Sequence, residues 1–333
     1  MFAERTDIFM DEKFRKIIKD REEITVRYDV ESASVWCYFN PKIRPCYSYT
    51  MLQEIHTLQL EIIDYFHYYD MHPPIPIRFF VLASQTRGIY NYGGDLNLFE
   101  RLIREKDRET LFKYGQLGTE IIYLNSVDFH LPLTTVAVVE GTALGGGFEA
   151  VLSCSVSIVE EQCKMGLPEI RFNLFPGMGA YSLLARLVGV KKAEEIMTSG
   201  KVYQSRELCE LGLLTQLTKE GKARERAVYF MKKYNRLQNG MQAVASARHR
   251  YLQLKREEFM DINRIWVETA LKLTPKDLKV MHKLVEAQNQ KYGYILKKNR
   301  ARQDRRISYL LDSSTTVNNA FPDRRKGRER RVS

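Results

Sequence analysis

Apolar positions along this chain follow two rhythms. Short β-branched runs bounded by Pro, Gly or polar clusters predict buried strands, and these fall at 24–28, 34–39, 78–83, 133–139, 155–160 and 214–217. Longer segments with apolar residues three or four apart predict helices. Residues 48–69 carry Leu52, Ile55, Leu58, Ile62 and Phe66, and the helix they predict ends at Pro73-Pro74-Ile75-Pro76. Residues 96–125 carry Leu98, Leu102, Leu111, Leu117 and Ile121, which predicts one long helix or two broken near Asp107. Shorter helices are predicted at 180–187, 193–199 and 205–211, and the pattern from Gly221 to about Tyr292 is helical throughout. Strands and helices alternate early and helices dominate late, so the expected class is α/β with a helical C-terminal portion. Residues 84–95 read as a polar, glycine-containing loop. No internal repeat is visible.

The stretch 132–171 gathers these signals. Its strand ends at Glu140-Gly141; a glycine turn at Gly145-Gly146-Gly147 follows, and Phe148–Leu152 have helical character. A strand therefore delivers the chain to a turn that opens a helix. Glycine lets backbone approach a ligand closely and adopt positive φ. The first helical turn offers unpaired N–H groups and partial positive charge, which suits a developing oxyanion. Glu149 lies three residues after Gly146, on the same face within one turn. Glu169 comes twenty residues later, with the predicted strand 155–160 between them. That strand can bring both carboxylates to one end of a sheet. Taken singly, each is as readily a surface or capping acid, and Gly93-Gly94 an ordinary loop turn.

Three segments carry a resemblance: 139–149, Met165-Gly166-Leu167-Pro168-Glu169-Ile170, and Phe175-Pro176-Gly177-Met178-Gly179-Ala180. They resemble the crotonase (enoyl-CoA hydratase/isomerase) superfamily. Within it, 145–154 and 174–182 are most similar to one branch, the diffusible signal factor (DSF) synthases. The resemblance runs from about residue 80 to about 285 and is strongest over 132–185. It implies a crotonase-like ββα spiral core over 1–220 and a helical portion over 221–296, while composition alone predicts a basic, disordered tail over 297–333. It implies that Glu149 and Glu169 are the catalytic acids, and that the backbone N–H groups of Gly94, in Tyr92-Gly93-Gly94-Asp95-Leu96, and of Gly146 form an oxyanion hole. Phe148, Met165 and Leu167 are expected as apolar walls at the substrate, and Trp266 as a lining residue of the acyl pocket; plain core packing is the alternative for Trp266.

The chemistry expected of such a site follows from the residues. A thioester acidifies its C2 proton, and removing it builds charge on the thioester oxygen, where two N–H donors can stabilise it. One carboxylate takes a proton while the other, protonated, gives one. Unlike roles need unlike pKa values, which apolar walls can provide. Two acids favour hydration or dehydration over a double-bond shift. The resemblance further implies a substrate of 3-hydroxyacyl-acyl carrier protein, dehydrated to a cis-2-enoyl thioester and hydrolysed to a free cis-2-unsaturated fatty acid, a quorum-sensing signal. A general enoyl-CoA hydratase/isomerase, with a CoA-linked substrate, is the alternative. No GxSxG nucleophile elbow marks a separate thioesterase. The family also implies a homotrimer or hexamer and a membrane sensor kinase as a regulator, so a catalytically idle partner protein is a further alternative, against which the two intact glutamates count.

Charge changes the picture less than its total suggests. Of the net +11, residues 297–333 supply +8, from 12 Lys/Arg against 4 Asp/Glu, which leaves +3 for 1–296. The basicity belongs to a tail, so no nucleic-acid partner is expected. Five cysteines without paired spacing and six scattered histidines predict neither disulfides nor a metal site. The Gly177–Gly179 pair lacks the dinucleotide fingerprint, and no cofactor is expected. With no apolar run of membrane-spanning length and a charged N-terminus unlike a secretory signal, the expected location is cytoplasmic.

Overall fold

The structure, a computed structural model, describes residues 11–293 and 295. The elements below all lie in the first of two compact units, residues 1–289; the second begins at Gln290. The tail 297–333, with its expected disorder, lies outside the described residues.

Six strands form the larger sheet: β1 (Ile24–Asp29), β2 (Ser34–Phe39), β3 (Phe79–Ser84), β5 (Thr134–Val139), β7 (Val156–Glu160) and β10 (Gln216–Thr218). They lie in the order β1-β2-β3-β5-β7-β10. β1 and β2 are antiparallel and the remaining pairs parallel. The smaller sheet is β4 (Gly88–Asn91), β6 (Gly141–Leu144), β8 (Lys164–Gly166) and β9 (Val202–Gln204), in that order. The chain thus alternates sheets: β3 then β4, β5 then β6, β7 then β8. Helices follow the first two of these pairs: α3 (Leu96–Glu105) and α4 (Arg108–Ser126) after β4, then α5 (Gly146–Ser153) after β6. This is the expected ββα spiral.

The continuous apolar runs of the large sheet reflect burial on both faces. In β2, Val35, Cys37 and Phe39 point into the main core, while Trp36 and Tyr38 join a second cluster. β3 splits the same way, with Phe80 and Leu82 against Phe79 and Val81. Helix α9 (Ala223–Asn235) closes the second face with Ala223, Ala227, Phe230 and Met231. Helix α2 (Tyr49–Tyr68) starts where Ser48 caps it, its side chain accepting from the Met51 N–H. It buries Leu52, Ile55, Leu58, Ile62 and Phe66.

The predicted helix 96–125 is two helices. Lys106 adopts φ 54 at the break, and Asp107 caps α4 by accepting from the Thr110 N–H. Two segments need correction. The segment 84–95 is not loop throughout, since Gly88–Asn91 is a strand paired with β6. Likewise 141–144, which no predicted element covers, is strand β6, paired on its other side with β8. The later helices are α6 (Ala180–Val188), α7 (Val190–Ser199), α8 (Ser205–Glu210), α10 (Gln238–Leu252) and α11 (Arg256–Ala270), with helix again over 275–289. Among the described residues no helix is long and apolar enough to cross a membrane.

Candidate active site

Two glycine turns meet at the ends of β4 and β6. Gly145 takes φ 51 and ψ −128, a conformation open to glycine and strained for other residues. Its N–H donates to Gly166 O at 2.9 Å, extending the β6–β8 pairing by one residue. Gly93 takes φ 89, and its Cα lies against Gly146: a β-carbon there would stand 2.9 Å from Gly146 N. The backbone between Gly93 and Gly94 therefore lies directly beside the first turn of α5. Gly145 supplies no side-chain cap to that helix, so its first N–H groups depend on other partners. Among the described residues, neither the Gly146 N–H nor the Gly94 N–H donates to a protein acceptor.

Glu149 follows in the first turn of α5 and is 1% exposed. Its Oε1 accepts from the Met178 and Ala180 N–H groups, both at 2.9 Å. These donors belong to the start of α6, where Gly179 is the N-cap. Burial pushes the carboxyl up to about 7, while the N–H groups of Ala180, Met178 and Gly179 pull the other way by favouring its anion. The helix N-terminus adds to that preference.

Glu169 opens a short 3₁₀ turn, Glu169–Phe172, just after β8. Its carboxyl packs on the glycine turn: a β-carbon on Gly145 would stand 2.4 Å from Glu169 Oε1. The residue as a whole is half-buried, yet its Oε2 is enclosed and has no hydrogen-bond partner among the described residues. Its carboxyl is raised to about 8, first by burial and then by the charge of Glu149, with its own backbone N–H opposing. The two carboxylates therefore act on one another. One is clamped by a helix N-terminus, and the other is buried with a free oxygen.

Trp266, on α11, is 6% exposed and sits on the Gly177 Cα, in the turn that carries Met178. Its ring meets Phe99 edge to face at 5.1 Å, and Phe99 in turn covers Gly94. The fold thus gathers Gly94, Gly146, Glu149, Glu169 and Trp266, although they come from four separate stretches of chain. Phe148, Met165 and Leu167 are fully enclosed in the main core. Among the described residues no group of three or more His, Cys, Asp or Glu is placed to hold a metal ion.

Met178 is a member of this site that sequence reasoning did not single out. Beyond its N–H bond to Glu149, its Sδ lies over Gly146 and its Cε over Gly118 of α4. The available signal was the Gly177-Met178-Gly179 turn at a helix start, whose N–H groups are free to bind an anion. Tyr47 and Tyr114 are also drawn in, through main-chain bonds to the 93–95 turn.

Residues 55–303 match the family model described as enoyl-CoA hydratase/isomerase. A probable enoyl-CoA hydratase of Bacillus subtilis (strain 168) is 32% identical over 139 residues, 42% of this chain and 51% of that protein. The chain thus spans about half the length of this curated relative. Among solved structures, an enoyl-CoA hydratase from Bacillus anthracis superposes with a TM-score of 0.60 at 21% identity, covering 74% of this chain and 90% of that one. Pseudomonas aeruginosa DspI superposes with a TM-score of 0.55 at 23% identity, over 73% of this chain and 96% of that one. At such identities the structural likeness speaks for the fold alone.

Proposed function

The chain belongs to the enoyl-CoA hydratase/isomerase family, and from that premise we propose that it adds or removes water across C2–C3 of an acyl thioester, with Glu149 and Glu169 as the two proton carriers. The observation that carries this reading is the pair itself. Two carboxyls of unlike surroundings lie beside two glycine turns, each of which offers an N–H group without a protein acceptor among the described residues.

In the resting site the charge belongs on Glu149, where three N–H groups favour the anion, and the proton on Glu169. In the hydration direction Glu149 takes a proton from water, whose oxygen bonds to C3. The C2=C3 electron pair moves toward the thioester carbonyl, and Glu169 delivers its proton to C2. The oxyanion formed on the way lies at the Gly94 and Gly146 N–H groups. Dehydration is the same pair of transfers reversed, starting with the proton on Glu149. Both carboxyls are raised, to about 7 and about 8, so near neutral pH the pair can hold one proton between them.

Within this chemistry we propose the dehydration of a medium-chain 3-hydroxyacyl-acyl carrier protein to the cis-2-enoyl thioester. Hydrolysis follows: water adds to the thioester carbonyl, the C–S bond breaks, and the thiol leaves with a proton as a free cis-2-enoic acid forms. Support for this finer reading comes from the resemblance of 145–154 and 174–182 to DSF synthases. A general enoyl-CoA hydratase is the second reading, favoured by the name of the Bacillus subtilis relative. The shared chemistry is tested with purified Glu149→Gln and Glu169→Gln variants and a 3-hydroxyacyl thioester. Each should lose water-elimination activity by a factor on the order of 10² or more with its fold intact. Near wild-type turnover in either variant refutes the two-carboxylate reading.

A further inference from the structure

A backbone N–H stabilises an oxyanion only if it is already aimed when charge develops. The peptide joining Gly93 to Gly94 is planar, so fixing its carbonyl fixes its N–H in the opposite direction. Gly93 O accepts from the Tyr47 N–H at 2.7 Å. Tyr47 and Gly94 form an isolated parallel bridge, yet the second bond of that bridge is indirect. The Asp95 N–H donates to the Tyr114 hydroxyl at 3.1 Å, and that hydroxyl donates to Tyr47 O. A single phenol from α4 thus stands in for one rung of the ladder. Further ties run alongside: the Tyr92 N–H donates to Pro45 O at 2.7 Å, and Arg44 pairs with Asp95.

Tyr114 is 1% exposed, and its ring is held edge to face by Phe99 at 4.9 Å. Both side chains border Gly94: its β-carbon position is 2.6 Å from the Phe99 ring and 3.6 Å from the Tyr114 hydroxyl. We infer that Tyr114 is a positioning residue for the reaction: its hydroxyl closes the Tyr47–Asp95 rung and so holds the Gly94 N–H in line with that of Gly146. Burial drives the phenol pKa well above its ordinary value, so the hydroxyl keeps the proton it donates across the working range. The inference rests on the assignment of Gly94 as an oxyanion donor and adds a residue that touches neither substrate nor carboxylates.

The test uses purified full-length wild type, Tyr114→Phe and Tyr90→Phe. Tyr90 offers a matched control, because its hydroxyl is buried without a partner among the described residues. Two quantities are read: turnover of a medium-chain 3-hydroxyacyl thioester, and the infrared carbonyl stretch of a bound, unreactive acyl-CoA carrying carbon-13 at C1. Tyr114→Phe should lower kcat by about ten- to a hundredfold, less than the loss of a whole donor. KM should stay within about twofold and the pH limits should be unmoved. The downshift of the carbonyl stretch seen in wild type should shrink. Tyr90→Phe should match wild type in both. If Tyr114→Phe yields too little folded protein, Phe99→Leu, which releases the ring, should show the same joint loss of kcat and carbonyl shift. A Tyr114→Phe enzyme with wild-type kcat and carbonyl frequency overturns the inference while the proposed function stands. So does a rise in KM with kcat unchanged. A wild type that neither turns over the thioester nor shifts its carbonyl overturns the function and the inference together.

Discussion

At the scale of single residues the account turns on where one proton resides. Glu149 and Glu169 titrate as a coupled pair, with values raised to about 7 and about 8. Below the lower value both carboxyls are protonated and no base remains; above the higher one both are ionised and no acid remains. A plot of kcat/KM against pH should therefore be bell-shaped, with its maximum between about 7 and about 8. A profile flat from pH 5 to pH 9, on the order of the full span over which carboxyl and thioester chemistry can be followed, contradicts the assignment. The same shift bears on stability. A carboxyl whose folded value lies above its unfolded one binds its proton more tightly when folded. Its stabilisation is complete at acid pH and is lost as pH rises from the ordinary carboxylate range through about 8. Glu169→Gln should consequently gain Tm relative to wild type as pH is raised across that window; a Tm difference independent of pH would show that Glu169 is not buried as its surroundings indicate. Of these features the two glutamates were legible in the sequence, because they sit in glycine-rich and Leu-Pro-Glu settings. The clamp on Glu149 was not, because the Gly177-Met178-Gly179 turn marks a helix start with free N–H groups without indicating which distant acid they hold.

At the scale of elements, the site depends on three turns that cannot shift independently. β6 brings Gly145 to the end of β8, and Gly145 carries both a strained φ and the Glu169 carboxyl against its Cα. Gly145→Ala should displace that carboxyl and reduce kcat on the order of 10², the loss expected when a catalytic group moves by about 1 Å. Circular dichroism should remain native, and an alanine variant of full activity would mean that the turn does not set the acid's position. The strands of the large sheet were legible from their apolar runs, with boundaries within a residue or two. Those of the small sheet were not. β8 and β9 have three residues each, and β4 and β6 have four, including Gly88 and Gly141. So few positions establish no alternation, and glycine-rich sequence reads as turn until a neighbouring backbone pairs with it. Helix breaks were readable where capping chemistry was explicit, as at Asp107.

For the whole molecule, the ββα spiral was legible through a resemblance that is strongest over 132–185. The order of strands within the two sheets was not, because pairing between distant segments is written in packing and not in local pattern. Large apolar side chains remain outside: Ile265 is 58% exposed, Val244 64% and Tyr251 84%. Helices that present such residues are candidates for burial between copies, and we expect a trimer or a dimer of trimers. Light scattering at micromolar concentration checks this, and a stable monomer would contradict it. Should assembly and activity separate, the site described above remains a property of one chain, since every residue placed in it comes from the first unit.

The central claim concerns what leaves the site, and the product decides it. Purified protein should be given a medium-chain 3-hydroxyacyl-acyl carrier protein, with the acyl product followed by mass for its attachment and by NMR for its geometry. The account predicts loss of water and release of a free cis-2-enoic acid, at whatever rate. A trans product still bound to its carrier, together with rapid hydration of crotonyl-CoA, would contradict the signal-synthase reading and leave a general hydratase. A 3-hydroxyacyl group recovered unchanged, with crotonyl-CoA also untouched, would contradict the two-glutamate chemistry itself.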